Sequence, residues 1–349
     1  MIKPMPTLLL AVLVLAGFSM ASRAADETVE AWKAIEDLAL RQGQATIYHN
    51  LNPTGMEMVM KDFRVDHPKI DVGIIRLGSA PLIQRFSTEF ATGRDIADVV
   101  LTAVDESLFD GMKAGWMQAW MPPELKNFLP QANYQGLNML FNIQTTRDAI
   151  VWNKSKVKPA NAPKEWADLF DPKWKGKVGM NPPWRSVTQQ AIIAYWEKLG
   201  LGDTASKMKA NNVRFFEGSG GVLQAVIRGD VHVAQMLDLP LETALADGAP
   251  IGFIYPPSGT TASEIYVFLA AKAPHSAAGK ILINWLLSEK GQVVLQKSGG
   301  LPATRPGIPA LQFLPATSAI PKVQDGLALT PPAKQKEIVE HWRTVFGIQ

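Results

Sequence analysis

Short apolar runs alternate with helix-like stretches along the first part of the chain. Residues 45–49, 70–77 and 98–102 are rich in strand-forming side chains, and turn residues follow the first two runs. Between residues 56 and 66, apolar side chains recur at the three- and four-residue spacing of an amphipathic helix. This strand–helix–strand–helix–strand order predicts a parallel sheet with helices on both faces.

The alternation starts again after residue 148. Strands are predicted at 149–152, 177–180, 213–216, 231–236 and 265–271, and helices at 187–199, 222–228, 277–296 and 332–346. A single core would be unusually large for a chain of 349 residues, so two lobes are the expected arrangement.

The start of the chain has the pattern of a secretory signal peptide. Lys3 supplies a positive charge, residues 7–17 form a short apolar core, and Ser22 and Ala24 place small side chains before a cleavage site ahead of Ala25. The alternative is an N-terminal membrane anchor, for which the apolar run is short. We therefore expect a periplasmic protein that is soluble after signal cleavage.

Charge and cysteine content exclude several functions. The whole chain carries a formal charge of +3, and without residues 1–24, which hold Lys3 and Arg23, 33 basic residues face 32 acidic ones. So small an excess of basic charge disfavours nucleic-acid binding. The absence of cysteine excludes disulfides, thiolate metal sites, a cysteine nucleophile and a lipid attached through an N-terminal cysteine.

Three stretches of the chain carry a family resemblance. They are 166–179 (WADLFDPKWKGKVG), 272–275 (KAPH) followed by 283–292 (INWLLSEKGQ), and 299–305 (GGLPATR). In this combination the chain resembles the type II periplasmic binding proteins of ABC transporters. Within them it is similar to the extracellular solute-binding family that includes ferric-iron, thiamine, polyamine, phosphonate and hexose-phosphate binders. The similarity covers essentially the whole chain after the signal.

The resemblance implies an α/β fold with two lobes, each a mostly parallel sheet flanked by helices, and a ligand cleft between the lobes. Lobe 1 would be discontinuous, with residues 25–147 and 260–310, and lobe 2 would hold residues 148–259. Residues 311–349 would pack on the lobes as a C-terminal segment. No cofactor and no metal are expected, and the protein would act as a monomer that closes around its ligand.

The loop from Trp184 to Thr188 is the best candidate for an anion site. Ser186 can cap the following helix, whose first N–H groups and partial positive charge attract an oxyanion. Arg185 adds a two-pronged donor, and Trp184 could form an apolar wall. The resemblance places this loop where family members commonly contact an anion. The alternative is that Ser186 is only a helix cap and Arg185 a solvated surface charge.

Two loops after the first and second strands are further candidates. Asn52, Thr54 and Gly55 follow the first strand, and Gly78 and Ser79 follow the second. Ligands of open α/β sheets sit beyond the carboxyl ends of strands, and glycine lets the backbone approach them closely. Ordinary turn chemistry accounts for the same residue types, so both explanations stay open.

Two carboxylates complete the candidate site. Asp238 follows a predicted strand and could accept hydroxyls or an ammonium from an organic solute, or could be a turn residue before Pro240. Glu264 lies at the implied return to lobe 1, as a ligand contact or as part of the hinge. In ferric-iron members of the family, adjacent tyrosines ligate the metal where this chain has Leu237 and Asp238, so iron is the second choice of ligand.

The sequence and the resemblance therefore predict the substrate-binding component of an ABC importer. It would capture a small organic oxyanion, such as a phosphonate or a sugar phosphate, and pass it to a membrane permease. A ferric-iron transport protein is the alternative ligand class, and a sensory role of the same fold stays open. A secreted hydrolase is the alternative of another class, but the motifs G-x-S-x-G and H-E-x-x-H are absent and the five histidines are scattered. We predict no catalytic residue.

Overall fold

The computed structural model describes residues 30–51, 53–103, 106–316, 319–320 and 322–348. Its strands are β1 (Gln44–His49), β2 (Asp71–Arg76), β3 (Val99–Ala103), β4 (Phe141–Asn153), β5 (Val178–Met180), β6 (Arg214–Phe215), β7 (Val233–Leu237), β8 (Ile251–Ile254), β9 (Thr260–Leu269) and β10 (Val323–Asp325).

The helices begin with α1 (30–42). They continue as α2 (Pro53–Asp66), α3 (Ser79–Thr92), α4 (Glu106–Lys113), α5 (Val187–Lys198), α6 (Thr204–Ala210), α7 (Gly218–Arg228), α8 (Leu241–Ala246), α9 (Ser276–Leu287), α10 (Glu289–Gly299), α11 (Gly326–Leu329) and α12 (Pro332–Phe346). Short 3-10 turns cover Pro123–Asn127, Pro130–Ala132, Tyr134–Gly136, Pro159–Asn161, Trp166–Phe170, Pro172–Trp174 and Pro183–Arg185.

The strands form one mixed sheet in the order β2-β1-β3-β9-β4-β7-β5-β6, with β10 beside β9 and β8 beside β4. β1 pairs in parallel with β2 and β3, β5 with β6 and β7, and β10 with β9. β9 pairs antiparallel with β3 and β4, and β4 pairs antiparallel with β7 and β8. The predicted α/β class with a mostly parallel sheet and flanking helices is confirmed.

The long strand β4 changes partners along its length. Its residues 141–147 pair with β9, and residues 148–152 pair with β7. β9 in turn contacts β10 through residues 260–262 and β3 through residues 265–269. The two long strands therefore join the group around β1 to the group around β5. The partner change falls between Arg147 and Asp148, where the resemblance implies a lobe boundary, and the division into lobes stays a prediction.

Apolar layers cover both faces of each strand group. Successive side chains of a strand point to opposite faces, so each strand contributes to both layers. In β1, Ile47 packs on one face and Tyr48 on the other, and both are fully buried. In β7, Val233 and Ala234 divide in the same way between two further clusters. Burial of these layers supplies the main stabilising term of the fold and holds the strand ends that form the site.

The prediction of a single helix over residues 277–296 is wrong at its centre. The structure has two helices, α9 and α10, separated at Ser288, whose backbone is extended with φ −66° and ψ 163°. The Ser288 Oγ accepts the N–H of Gly291 at 3.1 Å and so caps α10. A Cβ atom at Gly291 would collide with the backbone carbonyl of Trp285, so the sharp junction requires glycine there.

The C-terminal elements β10, α11 and α12 pack on β9 and on helices of the group around β5. β10 pairs with the start of β9, and Ile338 and Trp342 of α12 are buried in the cluster that contains Trp196 of α5. Among the helices of the described residues, none is both long and apolar enough to cross a bilayer. The predicted signal peptide, residues 1–24, lies outside the described residues.

Candidate functional site

A cavity of about 700 Å³ opens where the strand ends of both groups meet. Its wall includes the ends of β1, β3 and β7, the first turn of α5, the middle of β4 and β9, and parts of α7, α8 and α10. We call it the cleft. The cleft lies beyond the carboxyl ends of parallel strands, where ligands of α/β sheets bind.

The cleft wall mixes polar and apolar side chains and is almost without charge. Amide and hydroxyl side chains alternate on it with apolar ones; the polar ones are Asn50, Gln144, Thr146, Thr188, Gln224, Thr243, Ser263 and Ser298. Among the described wall residues only Asp247 carries a formal charge, and its side chain is exposed. An anion in this cleft would therefore be held by hydroxyls, amides and backbone N–H groups.

The first turn of α5 brings one predicted contact to the cleft. Ser186 caps the helix, since its Oγ accepts the N–H of Gln189 at 3.2 Å, and it lies 2.9 Å from the Thr188 hydroxyl. Thr188 is on the cleft wall. The hydrogen bonds of the described residues leave the N–H groups of Val187 and Thr188 without a partner. A helix start of this kind attracts an oxyanion.

Arg185 and Trp184, just before this turn, contact residues outside the cleft wall. The Arg185 guanidinium forms an ion pair with Glu217, and both side chains are exposed. Trp184 packs edge-on against Phe215 with ring centroids 4.9 Å apart. Neither Arg185 nor Trp184 is part of the cleft wall. A ligand contact by Arg185 would require it to leave Glu217, and stays a prediction.

The loop after β1 is only partly described. Asn52 lies outside the described residues, and Thr54 is described only as backbone of α2. Gly55 is buried where α2 crosses α10, and a Cβ there would lie 2.7 Å from the carbonyl oxygen of Ser298. Close helix packing therefore accounts for this glycine.

The loop after β2 makes a hydrogen bond to a residue of the cleft wall. Gly78 has an extended backbone and precedes α3 as its N-cap. The Ser79 Oγ accepts a hydrogen bond from the Asn50 amide at 2.7 Å. Asn50 is on the cleft wall, and its buried amide oxygen has no partner among the described residues. Ser79 thus orients a wall residue, and direct contact of Gly78 or Ser79 with a ligand stays a prediction.

Asp238 is buried behind the cleft wall in an ion pair. Its carboxylate lies 2.6 Å from the Arg147 guanidinium, with neither side chain exposed, and it also accepts the Tyr255 hydroxyl at 2.7 Å. The neighbouring Leu237 and Leu239 are on the wall instead. A ligand contact by Asp238 would need this ion pair to open, so it remains a prediction that the geometry does not favour.

Glu264 lies on the face of β9 that points away from the cleft. Ser263 and Ile265, its neighbours on the strand, are on the cleft wall, and alternation turns Glu264 to the other side. There it accepts the Tyr266 hydroxyl and lines a smaller cavity of about 350 Å³. The structure therefore does not bring Glu264 together with Thr188.

Sequence reasoning missed the polar wall residues of the two long strands. Gln144 and Thr146 of β4 and Ser263 of β9 line the cleft. The Gln144 amide donates to the Leu295 carbonyl at 3.1 Å, and its buried amide oxygen has no partner among the described residues. No motif or strand-end pattern marks these residues in the sequence; their burial in β4, where polar side chains are costly, is what identifies them.

A second buried carboxylate lies where β4, β7 and β9 meet. Asp148 accepts hydrogen bonds of 2.5 Å from the Thr261 hydroxyl and from the Gln235 amide. Burial, together with the nearby charge of Asp238, raises the pKa of Asp148 to about 7.

The side chains that a dityrosine iron site needs are absent from this cleft wall. The described residues contain no cluster of three or more His, Asp or Glu side chains that could hold a metal ion. His49 is fully buried in β1, and burial and then the charge of Arg76 lower its pKa to about 4. Tyr255 donates its hydroxyl to Asp238.

Known proteins resemble this chain in sequence. The model of the bacterial extracellular solute-binding protein family matches residues 94–314. A putative 2-aminoethylphosphonate-binding periplasmic protein of Salmonella typhimurium is 26% identical over 268 residues, which are 73% of this chain and 76% of that protein. Iron uptake protein A1 of Synechocystis is 25% identical over 289 residues, 76% of this chain and 78% of that protein.

Solved structures share the fold. Iron-bound HitA of Pseudomonas aeruginosa superposes with a TM-score of 0.74 at 21% identity, covering 86% of this chain and 99% of that one. The periplasmic binding protein AfuA of Actinobacillus pleuropneumoniae, with fructose-6-phosphate bound, gives 0.74 at 18% identity and covers 88% and 99%. The predicted type II periplasmic binding protein fold is thereby confirmed. The chain belongs to the bacterial extracellular solute-binding protein family and is a periplasmic solute-binding protein of the ABC-importer type.

Proposed function

We propose that this protein captures a small organic oxyanion in the cleft and delivers it to the membrane permease of an ABC importer. The observation that carries the proposal is the first turn of α5, where Thr188 lies on the cleft wall and the N–H groups of Val187 and Thr188 have no partner among the described residues. Such a turn binds phosphate or carboxylate groups through N–H donors and the helix dipole. The protein acts as a soluble monomer in the periplasm and releases its ligand unchanged.

Phosphonates and sugar phosphates are the ligand classes that we favour. The cleft combines the anion-binding turn with amides and hydroxyls that suit the polar remainder of such molecules, and with apolar side chains such as Leu51 and Leu223. The relative from Salmonella typhimurium has 2-aminoethylphosphonate in its name, and AfuA was solved with a sugar phosphate. A ligand that contacts both strand groups at once favours the closed conformation of the cleft, because it makes more contacts there than in the open one.

A ligand panel tests the class of solute. At about 100 times its dissociation constant, the correct ligand stabilises the folded state by about 2.7 kcal/mol. We expect phosphonates or sugar phosphates to raise the melting temperature, whereas neutral sugars do not. Thermal unfolding with phosphonates, sugar phosphates, neutral sugars, carboxylates, polyamines and ferric citrate measures this. Stabilisation by polyamines alone, or a coloured stoichiometric complex with iron alone, would replace the oxyanion by those ligands.

Thr188→Val tests the turn itself. The change removes a hydroxyl from the cleft wall while retaining the shape of the side chain. Loss of a hydrogen bond to an anion is expected to weaken the affinity about tenfold or more. Calorimetry with the ligand found in the panel measures the change. Thr344→Val, at an exposed position of α12, is the matched control and should bind as the wild type does.

Arg185→Ala tests whether the charge beside the α5 turn contributes to ligand affinity. If the guanidinium stays with Glu217, the affinity changes little. A tenfold or larger loss would show that Arg185 turns to the ligand. Unchanged affinity in Thr188→Val would remove the Thr188 hydroxyl from the binding site.

A further inference from the structure

Two residues of the cleft wall have side-chain oxygens that lack a hydrogen-bond donor. Gln144 of β4 is fully buried, and its amide oxygen has no partner among the described residues. The amide oxygen of Asn50, just after β1, is buried and unpaired in the same sense. Both residues are part of the cleft wall. A buried acceptor without a donor costs free energy, so two of them at a binding site indicate where a ligand supplies donors.

Hydrogen bonds of the amide nitrogens hold the two side chains in place. The Gln144 nitrogen donates to the Leu295 carbonyl at 3.1 Å, and because a carbonyl only accepts, this bond fixes which branch of the amide is the oxygen. The Asn50 nitrogen donates to the Ser79 hydroxyl at 2.7 Å. Gly299 is also on the wall, and a Cβ atom there would lie 3.3 Å from the Gln144 nitrogen and 3.7 Å from its oxygen. No side chain of residue 299 therefore covers the Gln144 amide.

The charge of the wall decides which donor suits these oxygens, because an amide oxygen accepts from a hydroxyl and from an ammonium alike. Among the described wall residues only Asp247 carries a formal charge, and its side chain is exposed. The buried carboxylate of Asp238 lies behind the wall and is paired with Arg147 at 2.6 Å. An ammonium buried among neutral acceptors would keep an uncompensated charge, whereas a hydroxyl needs only its hydrogen bonds. The wall therefore fits a hydroxyl better than an ammonium.

We propose that Gln144 and Asn50 determine the specificity of the cleft by accepting hydrogen bonds from hydroxyl groups of the ligand. The oxyanion at the α5 turn is taken from the proposed function, on which this inference rests. Of the proposed ligand classes, polyol phosphates, including sugar phosphates, then fit better than aminoalkyl phosphonates. The wall hydroxyls of Thr146 and Ser263 can donate or accept, as the remaining hydroxyls of a polyol require.

Three six-carbon phosphates test the choice of donor. Sorbitol 6-phosphate, hexyl phosphate and 6-aminohexyl phosphate share the phosphate and the chain length, and they differ in bearing hydroxyls, no donor or an ammonium. We expect calorimetry to show that sorbitol 6-phosphate binds about tenfold or more tightly than either of the others. Equal binding of hexyl phosphate would mean that water serves the two amide oxygens, and would refute the inference. Tightest binding of 6-aminohexyl phosphate would refute it in favour of an ammonium.

Unphosphorylated sorbitol separates a failure of this inference from a failure of the proposed function. We expect sorbitol to bind much more weakly than its phosphate, because it lacks the oxyanion for the α5 turn. Sorbitol that binds as tightly as sorbitol 6-phosphate would overturn the oxyanion function and leave the hydroxyl contacts standing. Equally tight binding of the three phosphates, with none of sorbitol, would support the oxyanion and overturn the hydroxyl contacts. Binding of none of the four compounds would overturn both.

Gln144→Met and Asn50→Leu remove the two acceptors and keep side chains of similar size. Each variant is expected to bind sorbitol 6-phosphate about three- to tenfold more weakly, the effect of one hydrogen bond between neutral groups, and to bind hexyl phosphate as the wild type does. The ratio of the two affinities is the readout, since a general disturbance of the cleft would lower both affinities together. An unchanged ratio in both variants would refute the role of the two amides.

Gln292→Met is the matched control for Gln144→Met. Gln292 is also fully buried and donates its amide to a backbone carbonyl, that of Leu286 at 3.0 Å, but it is not among the described residues of the cleft wall. The control should lower the free energy of unfolding and leave the ratio of the two affinities at the wild-type value. A ratio that falls as far in Gln292→Met as in Gln144→Met would refute direct contact between Gln144 and the ligand.

Discussion

Asp238→Ala is expected to lower the free energy of unfolding by about 3–5 kcal/mol. The change leaves the Arg147 guanidinium in a fully buried position without the carboxylate that lies 2.6 Å from it. The Tyr255 hydroxyl and the backbone N–H of Arg147 lose an acceptor at the same time. An uncompensated buried charge is among the most destabilising changes available in a folded protein.

Urea denaturation measures this effect, and the exposed ion pair of the same protein is the control. Arg185 pairs with Glu217 at the surface, so Glu217→Ala should cost less than about 1 kcal/mol. Replacing both buried partners together, Arg147→Met with Asp238→Leu, should recover part of the loss, because no charge is then left unpaired. A loss below about 1 kcal/mol in Asp238→Ala would mean that water reaches Arg147 in the variant.

The two α/β strand groups were predictable because their signals are local. Apolar runs mark β1, β2 and β3, with turn residues after the first two, and the spacing of apolar residues marks α2 and α12. The break between α9 and α10 was not predicted, since the apolar spacing continues across it. The break depends on one side-chain cap at Ser288 and on a close backbone contact at Gly291. Periodicity does not report such contacts.

The sequence could predict only those site residues that lie at the ends of strands or at the starts of helices. That rule selected Thr188, which is on the cleft wall. It also selected Asp238, which the ion pair with Arg147 removes from the wall. The partner is 91 residues away along the chain, so no local pattern could reveal it. Gln144 was missed because a polar residue inside a strand has no strand-end or motif signal.

Asp148→Asn is expected to remove a loss of unfolding free energy that the wild-type protein shows as the pH rises. In the unfolded chain the carboxyl has its ordinary pKa of 3.8, and in the folded protein burial raises this pKa to about 7. The folded state therefore binds the proton more tightly, and its stability falls as the pH rises from about 4 to about 7. At 1.36 kcal/mol for each pKa unit, ionised Asp148 costs up to about 4 kcal/mol above that range.

The introduced amide fits the same hydrogen-bond positions without a charge. Its oxygen can accept from the Thr261 hydroxyl, and its N–H group can donate to the Gln235 amide oxygen, which has no partner among the described residues. The side chains of β7 and β9 thus stay joined to β4 at every pH. The unfolding free energy of the variant, minus that of the wild type, should then increase between pH 4 and pH 8.

Taking this difference isolates Asp148, because every other titrating group is present in both proteins and cancels. Denaturation curves at several pH values measure it. Asp171→Asn is the control, since the exposed Asp171 has a lowered pKa, chiefly because it accepts the backbone N–H of Lys173. A lowered pKa means that the ionised carboxylate stabilises the fold, and this contribution develops below about pH 4, so the corresponding difference for Asp171→Asn should change little between pH 4 and pH 8. A difference that stays constant from pH 4 to pH 8 in Asp148→Asn would show that Asp148 is ionised in the folded protein throughout. The charge at the junction of β4, β7 and β9 would then be stabilised by the Thr261 and Gln235 donors alone.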